Sequence, residues 1–230
     1  MALAFMVGFL FWQGRGSQAL IQSAIIDSQL KLKRVSLLNI LWEKGLLEMK
    51  ENNFFPDKIE LEIDSSPPVK ATLSVSPEDS RLNLNKAEED ELYNFFVKHD
   101  ISPEDARVMV DSLLDWRDKD DFHRLNGAEK DYYLPFGYRP RNGPLKDFSE
   151  VALIKGFGPY KFWINPGIYR WVTIYTDTKD VPQAESLWKL EENKIYRLEL
   201  SWEQGKKIYR YLEIFRYKRG KREKLFAFEW

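Results

Sequence analysis

The chain reads as an α+β protein: a long N-terminal helix packed on an antiparallel sheet, with a small helical domain inserted between strands. Three observations carry this reading. Residues 17–50 contain no proline and repeat apolar residues every three or four positions. Residues 77–158 keep a helical period, with cap residues at the starts of the runs. The last third returns to segments that alternate polar and apolar side chains.

Along the chain, the head "MALAFMVGFLFW" is twelve residues without a charge. A bilayer span needs about 20 apolar residues, so the expectation is that this is the end of a longer hydrophobic helix whose beginning lies upstream. Continued through Leu20, Ala24, Leu38, Leu41, Trp42, Gly45, Leu46 and Met49, the helix occupies residues 1–51. At 1.5 Å per residue it is about 75 Å long. Part of it must project into something else, and "NNFFPD" stops it.

Residues 52–78 begin an α/β domain with two short strands, "KIELEID" and "VKATLSV", around a "SSPP" turn. Residues 79–165 form the helical insertion. One helix follows Asn85, read as its N-cap; the next follows Ser102, with Pro103 at its first position; a third lies around residues 148–155. Residues 166–230 complete the sheet with "YRWVTIYTD", "KIYRLELSW", "KIYRYLEIFRYKR" and "EKLFAFEW". In the second of these, Tyr196, Leu198, Leu200 and Trp202 share one face, while Arg197, Glu199 and Ser201 take the other. Strands on both sides of the insertion are expected to join one sheet.

Composition narrows the function. At 230 residues with 43% hydrophobic and 15% aromatic content the chain can bury a core, and its formal net charge of -1 lacks the basic excess of a nucleic-acid binder. The absence of cysteine excludes disulfides, Cys-ligated zinc and thiol catalysis. With only His99 and His123, no paired-histidine metalloenzyme motif exists, and no catalytic residue is assigned.

The stretch "DWRDKDDFHRLNGAEKDYY", residues 115–133, concentrates acids. Counted from Asp118, Asp120 and Glu129 occupy the third and twelfth positions of an EF-hand loop, but His123 stands where the turn glycine belongs. The EF-hand is rejected, whereas an oxygen-rich loop of other geometry leaves Asp115, Asp118, Asp120 and Glu129 as candidate calcium ligands. The same acids also read as helix and turn caps. "IKGFGPYKF", residues 154–162, has the glycine pattern of a helix-hairpin-helix turn. The acids beside it and the balanced charge oppose phosphate binding.

The words "DSRLNLNKA" (79–87), "LLDWRDKDD" (113–121), "NGAEKDYY" (126–133) and "YRPRNGPLKDFSEVALIKGF" (138–157) together resemble the K-type minor pseudopilin of the type II secretion pathway. The resemblance implies a pilin-like fold with an inserted helical domain of SAM or helix-hairpin-helix kind. It also implies a non-enzymatic role at the tip of the pseudopilus, assisting its assembly and protein secretion across the outer membrane. An inner-membrane anchor, a periplasmic globular domain, and I- and J-type minor pseudopilins and the inner-membrane secretion platform as partners follow from it too. Leu20, Ala24, Leu38, Leu41, Trp42, Leu46 and Met49 would then pack against partner helices. No second Asn-rich helical repeat, common in that family, lies between residues 164 and 195. The alternative is a soluble helix-hairpin-helix nucleic-acid-binding protein.

Overall fold

The computed structural model describes residues 2–176 and 188–230, with side-chain surroundings from residue 22 onward. Helix α1 runs unbroken from Ala2 to Asn52, the length that the proline-free pattern predicts. It ends where Asn53 turns to a positive φ of 68° and donates its N–H to the Met49 carbonyl. Strands β1 (Lys58–Ile63) and β2 (Val69–Pro77) pair antiparallel, from Lys58 opposite Ser74 to Ile63 opposite Val69.

Three further long strands follow the insertion: β5 (Ile195–Gln204), β6 (Lys207–Lys218) and β7 (Lys221–Glu229). They join the first pair in a five-stranded sheet of order β1-β2-β5-β6-β7, so strands from both sides of the insertion share one sheet. The segment "YRWVTIYTD" departs from expectation. It forms a 3-10 turn, Ile168–Arg170, and a two-residue strand β4, Val172–Thr173. That strand pairs parallel with β3, Leu82–Asn83, in a separate small sheet. Its last residue, at 177, lies outside the described residues. Local alternation could not distinguish a long strand from an aromatic turn whose side chains fill a core.

The chain divides into two compact units: residues 1–74 with 200–210, and residues 75–199 with 211–230. In the first, Leu37, Leu38, Leu41 and Trp42 are buried along one side of α1. Trp42 packs on Phe55 with ring centroids 5.4 Å apart. Gly45 lets the backbone come close, because a Cβ there would sit 2.5 Å from Ile59 Cδ1 and 2.6 Å from Phe55 Cζ. Lys44 donates to the Glu60 carbonyl at 3.0 Å, covering part of the β1 edge.

The second unit holds the insertion: α2 (Glu89–Lys98), α3 (Pro103–Arg117), α4 (Lys130–Tyr133), a 3-10 segment Phe148–Leu153 and α5 (Gly158–Trp163). The third expected helix is thus 3-10 and followed by a separate short helix. Leu92, Phe96, Met109, Val110, Leu113, Phe157 and Phe162 lie in its core. The N-cap of α2 is Glu88, in a capping box with Glu91, rather than Asn85. Asn85 instead exchanges two hydrogen bonds with the backbone of Leu145, at 2.9 and 2.8 Å.

Arg197 is buried despite its place on the polar face of β5. Its Nε and Nη2 donate to the two Glu78 oxygens at 2.9 and 2.5 Å, and Nη2 also reaches the Val172 carbonyl at 3.0 Å. Tyr169 supplies a further carbonyl acceptor. The second face of the strand is covered here, so a charge that alternation assigns to solvent is paired internally.

Candidate functional site

Ser102 starts α3 by accepting the Asp105 N–H at 3.2 Å, with Pro103 at the first helical position. The acids Asp111, Asp115 and Asp118 then recur at intervals of four and three residues, which turns them toward one side at the helix end. Each meets the loop that follows α3. Asp111 Oδ2 accepts the Asn126 backbone N–H at 3.0 Å and its side-chain amide at 2.9 Å. Asp115 accepts the Arg124 N–H at 3.2 and 3.1 Å. Gly127 makes the approach possible, since a Cβ there would lie 1.9 Å from Asp115 Oδ2. Lys155 Nζ closes the far side by donating to the carbonyls of Asn126 and Gly127 at 3.0 and 2.9 Å.

Three of the four expected ligands converge. Asp115, Asp118 and Glu129 each place a carboxylate oxygen within 4.8 Å of the others. Asp120 stays outside: its Oδ1 accepts the Phe122 N–H at 2.9 Å, an exposed turn bond. The capping interpretation therefore describes Asp120 and not Glu129. Glu129 precedes α4 yet makes no side-chain cap bond. It is 6% exposed, and both of its oxygens lack a hydrogen-bond partner, as does Asp118 Oδ1.

Such an arrangement is electrostatically unfavourable by itself. Burial, then the negative charges of Asp115 and Asp118, push the Glu129 carboxyl up to about 7. Burial likewise raises Asp115, opposed by backbone hydrogen bonds from Arg124 and Ala128. Asp118 is raised by burial and by neighbouring Asp120. Arg124 Nε stands 3.7 Å from Asp115, but its Nη1 is committed to Glu89 at 3.1 Å. The donor set, all hard carboxylate oxygens, fits a calcium ion, whose ligands at about 2.3–2.6 Å can lie about 5 Å apart. Asp115, Asp118 and Glu129 would hold it. Asp111, Gly127 and Lys155 shape the loop around them; the four-residue step from Asp111 to Asp115 was the sequence signal for the first.

The partner-packing candidates on α1 separate by burial. Leu38, Leu41 and Trp42 are buried within the chain's own first unit, Leu46 and Met49 are half-buried, Ala24 is exposed, and the Leu20 side chain lies outside the described surroundings. The exposed large apolar residues are others: Ile25, Ile26, Leu32, Val35, Ile40 and Leu47. Of these, Ile25, Leu32, Ile40 and Leu47 recur every seven or eight residues, two helical turns, and so form a stripe on one side of α1. Among the described residues no helix is long and apolar enough to cross a membrane.

In the glycine segment, Gly156 has φ +90° and faces α3 closely, a Cβ there meeting Met109 Cγ at 2.9 Å and its backbone at 3.2 Å. Lys161 pairs with Asp105 at 3.0 Å. Close helix packing accounts for the first glycine of the motif, and both lysines of the segment are engaged by protein oxygens.

The family model for "Type II secretion system (T2SS), protein K" matches residues 73–162, the span that contains the carboxylate loop. No curated protein matches the chain. Its fold is similar to that of a chain in the crystal structure of the GspK-GspI-GspJ complex from the enterotoxigenic Escherichia coli type 2 secretion system. The TM-score is 0.59 over 91% of this chain and 98% of that one, and at 12% identity the likeness is one of fold. The matched segment, the fold and the motifs at residues 79–157 agree with one another, and together they make this chain similar to K-type minor pseudopilins of the type II secretion system.

Proposed function

We propose that the chain is a non-enzymatic subunit at the tip of the type II secretion pseudopilus. In this role it assists pseudopilus assembly and the passage of proteins across the outer membrane. It works with I- and J-type minor pseudopilins and the inner-membrane secretion platform, anchored in the inner membrane through its N-terminal helix with the globular part in the periplasm. The observation that carries the reading is α1 itself. One side is buried by the chain's own Phe55 and Ile59, while the other leaves Ile25, Leu32, Ile40 and Leu47 in water. Apolar residues at two-turn spacing are what a second helix packs against. The fold neighbour is a subunit complex with two such partners.

Co-purification tests this. The chain should bind I- and J-type partners, and Leu32→Glu with Ile40→Glu should abolish binding without unfolding the protein. A chain that ignores both partners but binds DNA in a salt-dependent way would refute the proposal in favour of the nucleic-acid reading.

The Asp115, Asp118 and Glu129 cluster adds a structural calcium site. Three carboxylates exceed the one or two usual for magnesium, and a bound cation would offset the burial, and with it the neighbouring negative charge, that raises all three.

A further inference from the structure

The loop between Asp118 and Glu129 bears two large apolar side chains at its tip, Phe122, 85% exposed, and Leu125, 94% exposed. We infer that the carboxylate cluster is a cation-operated clasp, which fixes the first half of this loop and so sets whether Phe122 and Leu125 are presented as an ordered pair. This inference rests on the calcium reading above.

The two halves of the loop are held differently. Asn126 and Gly127 are tied down by Asp111 and Lys155, neither of which belongs to the cluster. Residues 119–125 are held by Asp115, which accepts the Arg124 N–H, by the Arg124 carbonyl, which accepts the Gly127 N–H at 3.1 Å, by the exposed pair of Arg124 with Glu89, and by further exposed bonds. Those bonds run from Asn142 to the Asp120 carbonyl at 3.1 Å and to Asp121 at 2.9 Å. Exposed bonds compete with water and hold a backbone weakly.

Asp118 opens the loop, Glu129 closes it, and Asp115 serves both as a cluster member and as the acceptor for Arg124. A cation shared by the three would join the loop's ends and lock the carboxylate that holds its middle. Without one, the like charges at the two ends push apart, and Asp115 is free to turn away from Arg124. The second half keeps its own fastenings in either state. Only the stretch with Phe122 and Leu125 is switched.

Amide exchange on the full chain, read residue by residue in calcium chloride and in chelator, tests the clasp, with calorimetry run in parallel for calcium binding. With calcium, the Phe122 and Arg124 amides should exchange about tenfold more slowly, while the Asn126 amide changes less than about twofold. Trypsin cleavage after Lys119 and Arg124 should slow to match. In Glu129→Gln the calcium response should vanish while the Asn126 amide stays protected, which shows that the unit is folded. Calcium binding with unchanged Arg124 exchange would overturn the clasp and leave the cation site standing. No calcium heat at millimolar concentration would overturn both.

Discussion

Glu129 is the residue on which the carboxylate cluster turns. In chelator, its carboxyl holds a proton in the folded state up to about 7, against an ordinary value of 4.5. Between those values the folded protein binds more protons than the unfolded chain, so stability falls as pH rises from 4.5 through about 7. Calcium should flatten this slope, a comparison that thermal melts at several pH values with and without chelator will make. At pH 8 in chelator, Glu129→Gln should stabilise the protein by roughly 1–3 kcal/mol, because it removes a buried charge without a partner. Gly127→Ala should destabilise it and weaken calcium binding together, since the new methyl displaces Asp115. Asp115, Asp118 and Glu129 were legible as carboxylates concentrated in residues 115–133, whereas Asp111 lies outside that stretch. Asp120 was not separable from them in sequence: a carboxylate two residues before a free N–H closes a local turn, which spacing alone does not distinguish from ligation.

At the scale of elements, α1 has two apolar sides, and their energetic roles differ. Leu41→Ala, in the buried side, should cost about 2–5 kcal/mol in chemical denaturation. Gly45→Ala should cost about 1–3 kcal/mol, because Ile59 and Phe55 stand where its methyl would go. Substitution of Leu32 or Ile40 should leave the denaturation midpoint nearly unchanged. The helix and its length were legible from an unbroken run without proline. Which side it buries was not, because both sides carry apolar residues, and only the approach of Phe55 and Ile59 decides between them. The glycine turn at 154–162 teaches the same lesson. Its pattern suggests phosphate, but contact with Met109 explains Gly156 by packing.

Across the whole molecule, one sheet gathers strands that flank the insertion, as the order of elements implied. Alternation along β5 was correct for Tyr196, Leu198, Leu200 and Trp202, which are buried, and misleading for Arg197, which is buried too. A period of two reports the faces of a strand; it does not report whether both are covered. Arg197→Ala should therefore cost about 3–5 kcal/mol by removing the two-point partner of Glu78, whereas Glu78→Leu with Arg197→Met should cost less than that single change, the remaining loss coming from Arg81, which stands 3.5 Å from Glu78. Denaturation of the two variants side by side checks the pair.

In the proposed role, the exposed stripe of α1 is the surface that meets I- and J-type minor pseudopilins. The chain contains no cysteine, so a single introduced thiol reports one position unambiguously. With a short thiol-to-amine crosslinker in the presence of I- and J-type partners, Leu32→Cys should give a heteromeric adduct, and Leu47→Cys should do the same. Glu199→Cys, far along the chain on β5, serves as the reference. Crosslinking at both α1 positions well above that reference is the predicted result. An I–J complex that forms while neither α1 cysteine reacts with it would contradict the account.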